Sequence, residues 1–308
     1  MRLQPTGIFD NSARTYAHIE VLPLAAAMGA EIRGADLARI DDATFAEIAD
    51  ALYRHKMIFF RDQRIGHADQ EAFTLRFGPF GKDAYTKGLP DHPNIQPVIK
   101  EADTSVKMIF GEGWHTDSPF LAQPPAISIL RGEVIPAFGG DTIWCNAALA
   151  YAALSDTMKA VLAPLRVRMS AADVIANMDR LAAEAAAESG EAATAKLGNV
   201  EMSVERQSMI EGSAHPLVRT HPVTGEKALY VDETYAQRIE GMTDEESKPL
   251  LDFLRFHVTQ ASFQCRLRWQ PGTLALWDNR LCIHQAFNDY DGESRVMYRT
   301  TVAGEAPA

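Results

Sequence analysis

Cysteine is scarce in this chain: Cys145, Cys265 and Cys282 are the only three among 308 residues. The number is odd and no pair has CxxC spacing, which excludes a disulfide framework and a cysteine zinc knot. Reduced, buried thiols in a cytosolic protein are expected instead. Excess positive charge is also missing. The formal net charge is -11 and the pI is near 5.3, so nucleic acid is not an expected partner, because phosphate binding needs a basic face. A small anion needs only one or two arginines in a local pocket, which the net charge does not exclude. No run approaches the ~20 apolar residues of a membrane span. The opening stretch MRLQPTGIFDNSARTY has no apolar h-region. A soluble cytoplasmic protein with no membrane partner is therefore expected. Internal repeats and long Gly/Ser- or Pro-rich linkers are lacking too, and a single domain over 1–308 is expected.

What is present mixes helix and strand periodicities. Asp42 to Arg54 and His67 to Phe77 read as amphipathic helices flanking an apolar strand, Met57-Ile58-Phe59-Phe60. Thr243 and Glu246 have capping-box spacing ahead of the stripe Leu250, Leu251, Leu254 and Val258, although Pro249 could move the helix start to itself. Cys265, Leu267 and Trp269 alternate with Gln264, Arg266 and Arg268 as on a strand. Pro271-Gly272 then turns the chain into Thr273 to Trp277, and Met297 to Val302 reads as a last strand. Strands through the second two-thirds, with helices outside them, suit a mixed α/β but mainly β architecture, a β-sandwich or jelly roll. An alanine-rich stretch from Ala171 to Leu197 reads as a helix interrupted at Gly190. It lies within an excursion at about 171–213, either a surface helix or a lid over a pocket.

Two distant segments carry the chemistry: Gly113-Trp114-His115-Thr116-Asp117, and Trp277-Asp278-Asn279-Arg280-Leu281-Cys282-Ile283-His284. On a strand, His115 and Asp117 would share one face. With nine histidines in the chain, an HxD alone proves little. Joined by His284, the pair makes the set of two imidazoles and one carboxylate that holds non-haem Fe(II) with open positions. Arg295 stands eleven residues beyond His284 and Arg299 four beyond that, so on a strand both would point the same way. Two inward arginines are costly unless each meets an anion. A guanidinium grips a carboxylate bidentately, so one could hold the distal carboxylate of a 2-oxo acid and the other an acidic substrate. Asp278 and Asn279 are candidates to orient a ligand or to form a turn. Cys282, Trp114, Phe120, Trp144 and Trp277 read as packing residues. Phe80, Tyr85 and Ile109 are weaker pocket candidates.

The segments WHTDSPF (114–120), GGDTIW (139–144), HPLVRTHPVTGEKALYV (215–231) and WDNRLCIH (277–284), with the Arg295/Arg299 pair, occur in one order over nearly the whole chain. In these the chain resembles the taurine dioxygenase/2,4-D dioxygenase family of Fe(II)/2-oxoglutarate-dependent oxygenases. The resemblance implies a double-stranded β-helix, a jelly roll with outer helices. It implies that His115, Asp117 and His284 hold Fe(II), that Thr142 and Arg295 bind 2-oxoglutarate, and that O2 is consumed. Arg299 is implied to face a small anionic substrate. The stretch 230–251 resembles the aryloxyalkanoate branch, in which a tyrosine matching Tyr235 also contacts the substrate. The implied reaction hydroxylates an aryloxyalkanoate, other carboxylate, sulfonate or sulfate ester while decarboxylating 2-oxoglutarate to succinate and CO2. A homo-oligomer, dimer or tetramer, is implied as well. The stretch PFGKDAYTKG (79–88) lacks the histidine that binds sulfonate in taurine-cleaving members, which counts against taurine. Asp117 counts against the related halogenases, which lack that carboxylate.

Two other readings use the same residues. A zinc hydrolase could employ the two histidines and the carboxylate, but would need neither Thr142 nor Arg295. A non-catalytic jelly roll could bind a small acid as a sensor without turning it over.

Overall fold

The computed structural model describes residues 9–102, 111–189 and 202–308. Its framework is a seven-stranded sheet. Across it run Glu20–Pro23, Ala30–Arg33, Met57–Phe60, Leu274–Asp278, Ile127–Val134, Arg295–Val302 and Gln96–Lys100. All neighbours are antiparallel except Ala30–Arg33 beside Met57–Phe60. A smaller sheet has Thr142–Asn146 at its centre, with Gln264–Leu267 on one side and Cys282–Ala286 on the other.

Side-chain alternation builds two apolar layers on the large sheet. Ile58, Phe60, Leu274 and Leu276 point to one face, where they meet Ile48, Leu52 and Phe73 of the helices Asp42–His55 and His67–Leu75. Met57, Phe59, Ala275, Trp277 and Met297 point to the other face, toward Trp144, Cys145 and Leu267 of the small sheet. Both faces of Met57–Phe60 are thus covered, which explains why that strand is an unbroken apolar run. The helix His67–Leu75 also docks on the last strand. Gln70 Nε2 donates to the Tyr298 carbonyl at 3.0 Å, and the Thr74 and Thr300 hydroxyls lie 2.7 Å apart. These contacts occupy the outward side of the strand, and Arg295 and Arg299 take the inward side.

The helix after Thr243 spans Asp244–Val258, so Pro249 lies within it and does not start it. The capping box of Thr243 and Glu246 forms in full, and Asp244, Glu245 and Glu246 fill the first turn. Those terms favour nucleation ahead of the proline. The alanine-rich helix runs Ala172–Ser189, and a short helix, Arg206–Glu211, precedes the strand Ser213–Pro216. Residues 190–201 of the expected excursion lie outside the described residues, as does Ile109. Among the described residues no helix is long and apolar enough to cross a membrane.

His55, at the end of the first helix, is fully buried, with Nδ1 2.6 Å from the Asn11 side-chain oxygen. Burial pushes its imidazole down from 6.5 to about 4. The unfolded chain therefore binds the proton more readily, and stability should fall as pH drops from 6.5 toward 4. Urea unfolding at pH 7 and pH 5 should show this loss, and His55→Gln should reduce it.

Candidate active site

The small sheet carries the first half of the site. His284 lies on Cys282–Ala286, whose free edge takes up His115 in one antiparallel bridge. The His115 N–H donates to the His284 carbonyl at 2.9 Å, and the His284 N–H donates back at 2.7 Å. The expected strand through His115 and Asp117 does not form. After the bridge the Thr116 N–H turns to the Asp232 carboxylate at 3.2 Å, and the Thr116 hydroxyl donates to the Asn279 carbonyl at 2.9 Å. The chain thus leaves the ladder, and Asp117 sits in a turn ahead of Ser118, whose φ is 45°.

Within this turn three ligand atoms converge. Nε2 of His115 and Nε2 of His284 each lie 3.9 Å from Asp117 Oδ1, and all three side chains are buried. His115 Nδ1 is 2.8 Å from the Gly113 carbonyl, so a proton there leaves Nε2 with its lone pair facing Asp117. Burial, with His115 alongside, pushes the His284 imidazole well below its ordinary range, which keeps it neutral. Burial alone would raise the Asp117 carboxyl, but Arg299 and the two imidazoles hold it down at about 2. Two imidazoles and one carboxylate on one side of a small space form a facial donor set for a divalent transition metal.

Buried neighbours fix the ligands. Ser128 donates its hydroxyl to Asp117 Oδ2 and accepts from Asn279 Nδ2 at 2.9 Å. Asn279 Oδ1 in turn accepts from Trp277 Nε1 at 2.9 Å. The Trp277 ring lies 4.8 Å from that of His284, and Trp144 stacks on the same imidazole at 6.5 Å. Asn279 thus orients a ligand through Ser128. Asp278 instead turns away, accepting two bonds from Arg280 at 2.8 and 2.7 Å and lying 2.9 Å from His221 Nε2. Cys282 is a buried thiol whose Sγ contacts the Lys56 carbonyl at 3.5 Å.

Arg295 is a buried cation without an ion pair among the described residues. It is 5 % exposed. Nη2 donates to the Gly140 carbonyl at 3.2 Å, while Nε has no partner among the described residues. The guanidinium stands 5.9 Å from the rings of both Trp269 and Tyr290. Trp269 Nε1 donates to the Thr142 hydroxyl at 2.9 Å, which leaves that hydroxyl's own proton free to donate. Gly140 is required here: its φ is +68°, and a Cβ would come within 3.3 Å of Arg295 Nε. An unpaired guanidinium with a hydroxyl donor nearby fits the far carboxylate of a dicarboxylic ligand.

Arg299 is differently placed. Nη1 donates to Asp117 Oδ1 at 3.3 Å and Nη2 to Asp83, so it is already held by two carboxylates. The Tyr235 ring lies 6.4 Å from that of His115 and 5.2 Å from Phe120, and the Tyr85 ring lies 5.6 Å from Phe120. Tyr85 thus joins the aromatic wall of the site, whereas Phe80 forms a bridge with Val302. The sequence reading missed Ser128, Trp269, Asp83 and Asp232. Ser128 and Trp269 lie outside the site motifs, Asp83 and Asp232 carry no signal of their own within the stretches 79–88 and 230–251, and only a long-range contact gives each a role.

The taurine catabolism dioxygenase TauD, TfdA family model matches residues 20–301. The chain is 36% identical to an alpha-ketoglutarate-dependent sulfate ester dioxygenase of Pseudomonas putida, covering 94% of this chain and 91% of that protein. It is 30% identical to an (S)-phenoxypropionate/alpha-ketoglutarate-dioxygenase of Sphingobium herbicidovorans, covering 93% and 95%. The crystal structure of a taurine dioxygenase from Burkholderia xenovorans superposes with a TM-score of 0.74 at 34% identity, covering 95% and 93%.

The Ser128 hydroxyl joins two buried groups, so Ser128→Ala leaves both Asp117 Oδ2 and the Asn279 amide short of a partner. Calorimetric titration with Mn(II) or Co(II) should show affinity falling about 10–100-fold in this variant.

Proposed function

The chain belongs to the taurine catabolism dioxygenase TauD, TfdA family and is an α-ketoglutarate-dependent dioxygenase, and on that premise we propose that His115, Asp117 and His284 hold Fe(II). The carrying observation is the convergence of two imidazoles and a carboxylate, together with a buried arginine that has no ion pair among the described residues. Bound there, Fe(II) would supply the redox chemistry for O2 activation, decarboxylation of 2-oxoglutarate and substrate hydroxylation.

The protein's part is to bind, orient and exclude water. Arg295 and the free proton of Thr142 take the distal carboxylate of 2-oxoglutarate, which leaves its keto-acid end directed at the metal. Trp269 sets the direction of the Thr142 hydroxyl. Ser128 and Asn279 hold the carboxylate ligand, and Trp144 and Trp277 wall off His284. Arg299 receives the anionic end of the substrate, with Tyr235 beside it. That substrate is a small organic sulfate ester, sulfonate or carboxylate, and the relatives' sulfate ester and phenoxypropionate activities support this range. Hydroxylation at a carbon bonded to oxygen, nitrogen or sulfur would give a product that splits there. A zinc hydrolase would have no use for the unpaired Arg295.

The two facing sheets are read as a double-stranded β-helix, and the chain as a single dioxygenase domain, because one apolar core spans both sheets. A cytoplasmic homo-oligomer, dimer or tetramer, completes the reading. It rests on the family resemblance and the three unpaired thiols.

Anaerobic titration of the metal-free protein with Fe(II) and then 2-oxoglutarate should produce the weak visible charge-transfer band of the chelate. His284→Ala should abolish the band. Arg295→Ala should weaken 2-oxoglutarate binding by about 10–100-fold, the scale of a lost charge-assisted hydrogen bond. An iron-loaded wild type without the band would refute the assignment.

A further inference from the structure

Arg299 does not present an open fork to an incoming anion. Nη1 is on Asp117 and Nη2 on Asp83, and Nε is buried without a partner among the described residues. Asp83 is 6% exposed and firmly built in. Its Oδ1 accepts from the N–H groups of Tyr85 at 3.0 Å and Thr86 at 2.9 Å, which leaves Oδ2 for Arg299. Its main chain is pinned from a distant segment: the Ser203 hydroxyl donates to the Asp83 carbonyl, and the Ser203 N–H donates to the Ala84 carbonyl at 3.1 Å.

Adding a substrate anion to this arrangement would place three negative groups around one half-buried guanidinium, which is unfavourable. Asp117 cannot yield while it holds a metal. Asp83 can. We propose that Asp83 is a specificity-determining residue: it occupies the anion subsite of Arg299, and a substrate binds only by displacing it. This inference rests on the reading that Arg299 receives the substrate's anionic end.

The consequence is a filter. Displacing Asp83 costs the same for every monoanion, so small anions with no other contact are excluded. A tethered carboxylate also competes at high effective concentration. Anions with an apolar tail can offset the cost against the wall of Tyr85, Phe120 and Tyr235. The substrate class is therefore an apolar-tailed sulfate ester or carboxylate and not a small hydrophilic anion.

The test is anaerobic calorimetry of hexyl sulfate, methyl sulfate and the uncharged 1-hexanol. Wild type, Asp83→Asn and Ser203→Ala would be compared, each with Fe(II) and 2-oxoglutarate and each metal-free. Asparagine keeps the acceptor for Tyr85 and Thr86 while removing the charge. Asp83→Asn should bind hexyl sulfate about tenfold or more tighter and should acquire methyl sulfate binding, with 1-hexanol and the chelate band unchanged. Ser203→Ala should shift hexyl sulfate in the same direction by less. A merely structural role for Asp83 would weaken all ligands together. Hexyl sulfate binding unchanged, weaker or undetectable in Asp83→Asn overturns the proposal. Should that variant not fold, unchanged or weaker binding in Ser203→Ala does the same. Loss of the chelate band in wild type would instead overturn the iron assignment, and the metal-free titrations would still decide the role of Asp83.

Discussion

One antiparallel bridge holds the site together. His115 and His284 exchange N–H···O bonds across the edge of the small sheet, and this fixes two imidazoles, far apart in the chain, at a ring separation of 4.1 Å. The bridge is a single pair because Thr116 is drawn off at once by Asp232 and Asn279. That early departure matters. A continued strand would carry Asp117 along the ladder, whereas the turn brings its carboxylate back toward both Nε2 atoms.

Around that bridge the fold separates two kinds of positive charge on one strand. Arg295 and Arg299 share the inward side of Arg295–Val302, yet their surroundings differ. Arg295 lies between aromatic rings with no carboxylate paired to it among the described residues, a costly state for a buried guanidinium. Arg299 lies between Asp117 and Asp83 and is neutralised before any ligand arrives. The same residue type on the same strand is thus without an ion pair among the described residues in one place and held by two carboxylates in the other.

The departure at residues 79–88 acquires a physical meaning through this contrast. The stretch carries an aspartate in a region where taurine-cleaving members have a sulfonate-binding histidine. Asp83 adds negative charge beside the retained Arg299, and under the proposal made above this changes the pocket's preference among anions. Ser203, from the far side of the excursion, secures the backbone that presents this carboxylate.

Much of this was legible in the sequence, and for identifiable reasons. Apolar periodicity located the helices Asp42–His55 and His67–Leu75 and the strand Met57–Phe60, because burial of one face or of both leaves a local repeat. His115, Asp117 and His284 could be picked out because a facial metal set demands particular donor types, whatever path joins them. Other features could not be read that way. Nothing in the chain near Ser128 points to Asp117, nothing near Trp269 points to Thr142, and a lone aspartate at 83 looks like any loop residue. Whether Arg299 stands free or paired was equally invisible. Residue type and local spacing determine which chemistry is available. Only the tertiary structure decides which buried groups are satisfied and which remain unpaired, since a polar group's partner is set by contacts between segments that the sequence keeps far apart.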